Sequence, residues 1–317
     1  MAASINEVRN TVLAIANKNN YGYISPQDFN LYAKQAQMDM FEDYFYQYNN
    51  WINKENNRTS GTGYANITKG LVEVMDSFSS QVFLAQSNAN NYSLPADYYL
   101  INKLFYYSTP LFKRVTTASV ANQLVDVGAV GWTQIPALSP TPSIGSLVVN
   151  TTTLQQAYVT GVVSSFVVTL SANIFTVTGE GYTIYSNTNI KEVERVSQNK
   201  IFLLTNSMLT APTKSYPAYV LGGNIVTVYP STILNIGDVQ AQYIRYPLVP
   251  RWTWQDLGLG EPIFDSTQPD FQEFELPNSD EPTLIAKICQ YVGIEIRESE
   301  VYNFGATEES NDTQETS

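Results

Sequence analysis

Histidine is missing from the chain, and cysteine occurs once, as Cys289. Without histidine the sequence lacks the commonest general base and the commonest metal ligand, so Ser-His-Asp and Cys-His catalytic sites are excluded. A single cysteine excludes an internal disulfide and a thiolate zinc site. We therefore expect no enzymatic activity, no metal and no cofactor. Cys289 lies on the apolar face of a predicted helix, where we expect it to be buried.

Charge is also scarce, since Asp, Glu, Lys and Arg make up only 15% of the 317 residues, against about a quarter in ordinary globular proteins. No run of about 18 apolar residues occurs, so no spanning helix is expected. The first residues lack the basic start and apolar run of a secretory signal. The chain is instead rich in tyrosine, with 22 copies. Neutral, aromatic surfaces of this kind suit large permanent protein interfaces.

The net charge of −12 is concentrated at one end of the chain. Residues 255–317 hold fifteen acidic and two basic side chains, whereas residues 1–254 are nearly neutral. Such an acidic region repels nucleic acid, and it can keep DNA from adhering to a surface past which the DNA slides. We therefore expect Asp256–Asp280 either to line a DNA channel or to meet a basic neighbouring ring.

Residues 1–92 are predicted to form a bundle of three helices. The first spans residues 4–17, where Ser4 and Glu7 have capping-box spacing. The second begins after Ser25, which can cap it, and the third is predicted over Tyr64–Gln86 from its three-four apolar repeat.

The second predicted helix carries a broad aromatic stripe that includes Tyr44 and Tyr48. A stripe this wide exceeds what one packing partner covers. We therefore count Tyr44 and Tyr48 among the candidate interaction residues, with half of the stripe expected to face another chain.

Residues 93–254 are predicted to form a β-rich domain with short strands and glycine-containing turns, among them a hairpin turn at residues 222–224. Within it, residues 127–179 contain no charged side chain. Uncharged strands with exposed edges promote aggregation unless something covers the edges. We expect a neighbouring copy of the same chain to provide that cover.

The acidic segment, residues 255–304, is predicted to hold one helix over residues 282–292 and a short strand over residues 294–298. Residues 305–317 are polar, acidic and predicted to be disordered. The whole chain is thus predicted to be α+β: an N-terminal helical bundle, then an antiparallel β-sandwich-like domain with an uncharged β insertion.

The stretch "YIRYPLVPRWTW", residues 243–254, permits three interpretations. Its two prolines three residues apart resemble ligands of SH3-type grooves. Arg245 and Arg251 beside aromatic residues could stack nucleic-acid bases. The third and favoured interpretation is structural: a strand ends at a proline, and Trp252 and Trp254 dock on the domain. In that case we expect the two arginines to meet carboxylates of an adjacent subunit.

A pair of carboxylates suited to glycoside hydrolysis is the one enzymatic arrangement that the composition leaves open. The acidic segment offers several candidates, but their spacing along the chain selects no pair: Glu261, Asp265, Asp270, Glu273 and Glu275.

Three stretches together resemble the structural ring proteins of tailed bacteriophages, with the nearest likeness to the head-to-tail connector rings of crAss-like podoviruses. They are "SLPADYYLINKLFY", "EVERVSQNKIFLLTNSMLTAPTKSYPAYV" and "IVTVYPSTILNIGDVQAQYIRYPLVPRWTW", and the N-terminal "YGYISPQDFNLYAKQAQMDMFEDYF" is similar too. The resemblance covers most of the chain and is weakest in residues 127–179.

This resemblance implies a virion structural protein of the neck or tail, assembled in the host cytoplasm and without enzymatic activity. It implies a homo-oligomeric ring of about twelve copies, which contacts the portal and neighbouring ring or tail proteins. DNA would pass through the channel without sequence-specific binding. Two alternatives stay open: a trimeric receptor-binding component with a glycan cleft lined by Tyr and Trp, and a virion enzyme that cleaves polysaccharide.

Overall fold

The structure is a computed structural model that describes residues 3–16, 24–57, 67–108, 110–128, 142–164, 166–186, 190–256, 262–295, 303 and 305–307. The described chain divides into two compact units. Unit 1 comprises Met1–Phe78 and Tyr246–Ser317, and unit 2 comprises Ser79–Arg245. Unit 2 is therefore an insertion within unit 1. No helix among the described residues is both long enough and apolar enough to cross a membrane.

The predicted α+β class is confirmed, because the chain contains five described helices and seventeen described strands. The helices are α1 (Ile5–Ala16), α2 (Pro26–Asn57), α3 (Ile67–Asp76), α4 (Gln198–Thr205) and α5 (Glu281–Glu295). The strands are β1 (Ser79–Phe83), β2 (Ala85–Asn88), β3 (Asn91–Ser93), β4 (Tyr98–Tyr107), β5 (Pro110–Val115), β6 (Ala118–Val120), β7 (Gln123–Val125), β8 (Leu147–Asn150), β9 (Gln156–Ser164), β10 (Val167–Leu170), β11 (Gly181–Tyr185), β12 (Ile190–Arg195), β13 (Ala218–Gly222), β14 (Ile225–Tyr229), β15 (Val239–Arg245), β16 (Trp254–Gln255) and β17 (Ile263–Phe264).

Unit 1 packs α5 against α1 and α2, and α3 against α2. The predicted helix starts are confirmed: the Ser4 hydroxyl lies 3.5 Å from the Glu7 amide, and the Ser25 hydroxyl accepts a hydrogen bond of 3.1 Å from the Asp28 amide. These contacts satisfy donors that the first turn of a helix leaves unpaired. Cys289 on α5 is fully buried, as predicted.

The third predicted helix is wrong beyond Asp76, because α3 ends there and residues up to Gln86 form β1 and the start of β2. Ser77 ends the helix by donating its hydroxyl to the Val74 carbonyl oxygen at 2.6 Å. Serine hydroxyls compete in this way with the helical hydrogen bonds of the backbone. Val82 and Phe83 then pair with β15, so tertiary pairing overrides a helical apolar repeat.

The first sheet of unit 2 has eight strands in the order β1-β15-β4-β12-β13-β14-β3-β2. All its neighbouring pairs are antiparallel except β12 and β13. Its core is aliphatic and aromatic, and it includes Tyr92, Leu104, Val226 and Val239, all with no exposed surface. The predicted turn at residues 222–224 is confirmed: Gly222 pairs with Ile225, and Gly223 supplies the positive φ of +62° that two-residue hairpin turns require.

The second sheet has seven strands in the order β5-β11-β8-β9-β10-β7-β6, all from the chain between β4 and β12. Its own core contains Val148, Val168, Tyr182 and Ile184. The opposite face of β8 and β11 packs on the first sheet through a cluster of Phe83, Tyr107, Leu147, Val149 and Tyr185. We call this second sheet the inserted sheet.

The expected exposed edges are absent from the described strands of the uncharged tract, whereas the expected contact of this tract with a neighbouring copy stays a prediction. The strands within residues 127–179 are β8, β9 and β10, and each is paired on both sides within the chain. The two edges of the inserted sheet are β5 and β6, which lie outside that tract. Strand β5 carries Lys113 and Arg114, and charged side chains protect an edge from pairing with other chains.

The predicted domain boundaries also differ from the two compact units. The break falls after Phe78 rather than after residue 92, and the acidic segment belongs to unit 1 together with the N-terminal helices. The predicted strand over residues 294–298 is wrong at residues 294–295, because α5 continues through Glu295; residues 296–298 lie outside the described ranges. Residues 305–307 are helical, and Gly305 is buried beside the Ala286 carbonyl oxygen. The remainder of the predicted disordered tail lies outside the described residues.

Candidate functional site

Trp252 is buried and Trp254 is half-buried, so both dock on the protein as the structural interpretation predicts, although in unit 1 rather than in the β-rich domain. Trp252 is 1% exposed, and its ring stacks on Trp254 and Phe264 at centroid distances of 6.0 and 5.8 Å. The Arg9 guanidinium lies over the Trp252 ring at 3.9 Å. The indole nitrogen donates to Asn6 Oδ1 at 3.1 Å. A tryptophan this enclosed holds the fold together and offers no surface to a partner.

The backbone around Trp252 is fixed to α2 by side-chain amides. The Trp252 amide donates to Asn30 Oδ1 at 2.8 Å, and Asn30 Nδ2 donates to the Trp252 carbonyl oxygen at 3.0 Å. Gln37 bridges two chain segments, since its amide nitrogen donates to the Leu248 oxygen and its oxygen accepts from the Glu275 amide. Residues 246–256 are thus held in place by α2 as an extended strap.

Arg251 pairs within its own chain, and its expected contact with a carboxylate of an adjacent subunit stays a prediction. Its Nε lies 3.1 Å from Asp270 Oδ2, and its backbone forms a bridge with Gln272. Arg245 ends β15 beside Tyr98 in the neighbouring strand. Burial raises the pKa of Tyr243, and the Arg245 guanidinium partly opposes that rise. The expected contact of Arg245 with another subunit stays a prediction.

Tyr44 is 7% exposed and donates its hydroxyl to Asp280 within unit 1. Burial raises the pKa of this phenol, and the hydrogen bond to the Asp280 carboxylate adds to the rise. Tyr44 therefore serves packing inside the unit. Tyr48 is half-buried on the same helix. On α2, Leu31 and Tyr46 project into solvent, with exposures of 61% and 67%.

The candidate carboxylates of the acidic segment hold backbone and side-chain donors rather than a substrate cleft. Glu273 accepts from the Ile5 amide at 2.6 Å, and Glu275 accepts from the Leu248 amide at 2.7 Å. Asp265 accepts from Thr267 and Gln268, and these hydrogen bonds lower its pKa, the Thr267 hydroxyl most of all. Glu261 lies outside the described residues. Through Glu273 and Glu275, the described part of this segment is joined to the helices of unit 1.

A cavity of about 410 Å³ in unit 2 opens where β1 faces the inserted sheet. Its lining is uncharged and mixes amide and hydroxyl groups with aliphatic ones: Gln81, Val82, Thr153, Leu154, Gln155, Gln156, Ala172, Asn173 and Ile174. Fully buried Asn150 shapes the rim, because its side chain accepts from the Thr152 and Thr153 amides and donates to the Ile174 oxygen. This lining lacks the Tyr and Trp platform expected of a glycan cleft.

One neutral surface suited to contact another protein is the outer face of β9 and the strand end that follows it. Tyr158, Val162 and Val163 are 49%, 45% and 64% exposed. Thr160 Oγ1 donates to Thr169 Oγ1 at 2.9 Å on the neighbouring strand. Gly161 fits closely there, since an added Cβ would lie 2.9 Å from that Thr169 oxygen. We call this surface the β9 face; all of its residues fall within the charge-free tract.

The β9 face can be recognised from the sequence by a pattern other than the one from which the edge contacts were predicted. In "QAYVTGVVS" the apolar residues fall on both faces of the strand, whereas a strand exposed on one side alternates apolar and polar residues. Ala157 and Val159 fill the core, which leaves Tyr158 and Val162 pointing outward. Apolar residues at outward positions of a half-exposed strand indicate a contact surface.

Comparison with models of known protein families gives no match, and a search of curated proteins gives no match either. Within the described ranges, no three Asp, Glu or Cys side chains gather closely enough to hold a metal ion.

Proposed function

We propose that the chain is a virion structural subunit that forms a homo-oligomeric ring at the portal, neck and tail junction of a tailed bacteriophage. The ring extends the DNA channel and joins head to tail. The observation that carries the proposal is the β9 face, an uncharged surface with three large apolar side chains exposed by 45–64%. A face of this composition favours permanent burial against another protein. The resemblance to connector rings supplies the setting.

The division of charge between the two units supports a role beside DNA. Unit 1 holds nine basic and twenty-three acidic side chains, whereas unit 2 holds eight basic and six acidic ones. A strongly negative surface repels the DNA backbone and prevents adhesion during passage. We therefore assign unit 1, rather than residues 256–280 alone, to the side of the ring that DNA passes. Some carboxylates within residues 256–280, such as Glu273 and Glu275, bind donors inside the protein. The remaining acidic side chains of unit 1 supply the negative surface that repels DNA.

The first experiment measures the mass of the purified full-length chain by light scattering over a range of concentrations. We expect an assembly of about twelve copies of the 35.4 kDa chain, visible as closed rings by negative-stain microscopy. A trimer would favour the receptor-binding alternative instead. A strictly monomeric chain, in solution and in reconstituted particles, would refute the ring.

The second experiment tests the β9 face itself with Val162→Asp and Val163→Asp introduced together. We expect assembly to weaken at least about 100-fold, because each buried charge lacks a partner and costs several kcal/mol. The matched control is Ile190→Asp with Ile225→Asp, on exposed positions of the first sheet. Loss of assembly in both double variants would show a general effect on folding, and unchanged assembly in the first would refute the role of the β9 face.

A further inference from the structure

Five strongly exposed apolar side chains of unit 2 lie together on one segment, residues 198–216, which we call the arm. Phe202 and Leu203 are 68% and 71% exposed, and Met208, Leu209 and Tyr216 are 103%, 97% and 82% exposed. The arm belongs to the first sheet rather than to the inserted sheet that carries the β9 face, since it joins β12 to β13. Five large apolar residues this exposed within nineteen positions form a patch of the kind that marks a protein contact.

The arm is ordered although it projects into solvent. Helix α4 is fixed to the first sheet through Ile201, which is 5% exposed and joins a cluster with Val196, Ala218 and Val220. Beyond the helix, the Ala211 amide donates to the Ser207 oxygen at 2.9 Å, and Thr213 and Tyr216 form a two-residue bridge. A segment held in one conformation before it binds loses little entropy on association.

The direction of the helix explains why these residues are exposed. In "QNKIFLLT" four apolar residues are consecutive, so they cannot all share one face of a helix. Ile201 faces the sheet and Leu204 is partly buried beside it, which leaves Phe202 and Leu203 pointing away from the unit. Two of the four apolar residues of α4 therefore pack within unit 2, and the other two are exposed.

The charge of the arm indicates what covers it. The arm contains Lys200 and Lys214 and no acidic residue, and both lysines are exposed. Unit 2 as a whole is slightly basic, whereas unit 1 carries a net charge of −14. An apolar patch with two cations is complementary to an acidic surface that also presents apolar residues. On α2 of the acidic unit 1, Leu31, Glu42 and Tyr46 are exposed at helical spacing, so this helix presents apolar side chains together with a carboxylate.

We propose that the arm of one copy docks on unit 1 of the adjacent copy, with its apolar side chains against α2 and its lysines beside acidic groups. This inference rests on the proposed ring and identifies the contact that links neighbouring subunits. A contact between two different surfaces is heterologous, and contacts of this kind generate closed rings when the rotation between copies closes.

The first test removes the apolar side chains with Phe202→Ser, Leu203→Ser and Leu209→Ser together. Each apolar side chain that assembly buries is worth about tenfold in affinity, and such effects are not additive, so we expect assembly to weaken at least about 100-fold. The matched control is Leu100→Thr, Ile190→Thr and Ile225→Thr, three apolar positions of the first sheet with exposures of 41–42%. We expect the control to assemble like the unmodified chain.

The second test identifies the receiving surface. Equal amounts of ¹⁴N- and ¹⁵N-labelled chain are assembled and treated with a zero-length carbodiimide, which joins lysine amines to carboxylates in contact. We expect mixed-isotope cross-links from Lys200 or Lys214 to acidic residues of unit 1. Cross-links from these lysines only to unit 2, or to a different protein when assembly is carried out in virion extract, would overturn the proposal.

The outcomes separate the arm from the ring. If the unmodified chain forms rings and the triple serine variant assembles within about threefold of it, the arm proposal fails and the ring proposal stands. If the unmodified chain never assembles, the ring proposal fails first. Lys200→Glu with Lys214→Glu gives an independent measure: we expect assembly about tenfold weaker at low salt, with the difference shrinking as salt rises.

Discussion

Replacing Trp252 with alanine should strongly destabilise unit 1, because one side chain there supplies packing, a cation–π contact and a hydrogen bond. The indole is 1% exposed and contacts Trp254, Phe264 and Arg9. Its amide and carbonyl groups join the strap to α2 through Asn30, and these backbone contacts survive the substitution. The variant therefore isolates the side chain of Trp252 from the strap that carries it.

The size of the effect follows from what the side chain contributes. Truncating a buried Phe or Trp to alanine costs about 3–5 kcal/mol. The cation–π contact with Arg9 adds about 0.5–2 kcal/mol, and the hydrogen bond to Asn6 adds about 1 kcal/mol. These contributions overlap, so we expect a loss of about 4 kcal/mol. That is a large part of the roughly 5–15 kcal/mol by which domains are stable.

Hydrogen exchange followed by mass spectrometry gives the most direct measurement, because it reports each unit separately. We expect the amides of α1 and α2 to exchange up to about a thousandfold faster in the Trp252→Ala variant, with little change in the inserted sheet. Trp252→Phe should lose only about 1–2 kcal/mol, since the stacking remains while the hydrogen bond to Asn6 is lost. Val249→Ala, at a position 53% exposed in the strap, is the control and should change stability by at most about 0.5 kcal/mol. A loss below about 1 kcal/mol for Trp252→Ala would refute the reasoning.

Two further predictions concern buried ionisable groups. Asp238 accepts hydrogen bonds from Tyr185 and Asn235, and burial raises its pKa. Because the folded state then binds this proton more tightly than the unfolded state, the stability of unit 2 should increase as pH falls through the raised pKa. Asp238→Asn should flatten that increase in urea unfolding measured between about pH 7 and pH 4. An unchanged pH profile in the variant would contradict the assignment. Burial raises the pKa of the Cys289 thiol to about 12, so a disulfide reagent should label it only after unfolding; rapid labelling of the native protein, compared with a Cys289→Ala control, would contradict its buried position.

Local signals in the sequence predicted the helix starts and the hairpin. Ser25 and the glycines at residues 222–223 determine their surroundings through contacts a few residues apart, and such contacts are readable from spacing alone. The sequence also predicted that Trp252 docks on the protein, because a proline ends the preceding strand and two large apolar indoles follow it. The pairing of Trp252 with Asn6 and Asn30 was not, since those residues are more than two hundred positions away.

The architecture of nested insertions was beyond sequence reasoning. The chain enters unit 2 through β1 and leaves through β15. These two strands pair with each other, with Ser79 opposite Ile244. Within that unit, it leaves the first sheet after β4 and returns at β12, which again pairs with β4. Boundaries placed one after another along the sequence cannot describe such a chain, because unit 1 is built from two segments that are far apart in the sequence. The acidic segment was for this reason separated from the helices on which it packs.

The inserted sheet shows how a tract without charge can remain well determined. Its two bounding carboxylates are buried and bound: Asp126 accepts from Arg114 Nε at 2.9 Å and from the Tyr182 hydroxyl at 2.7 Å, and Glu180 accepts from the Thr176 amide at 3.0 Å. A buried carboxylate is stable only where donors satisfy it, so these contacts specify one register at the ends of the tract. Charge inside the tract is then unnecessary for determining the fold. The β9 face is consequently free to stay neutral and apolar, which is the property that a permanent contact between subunits requires.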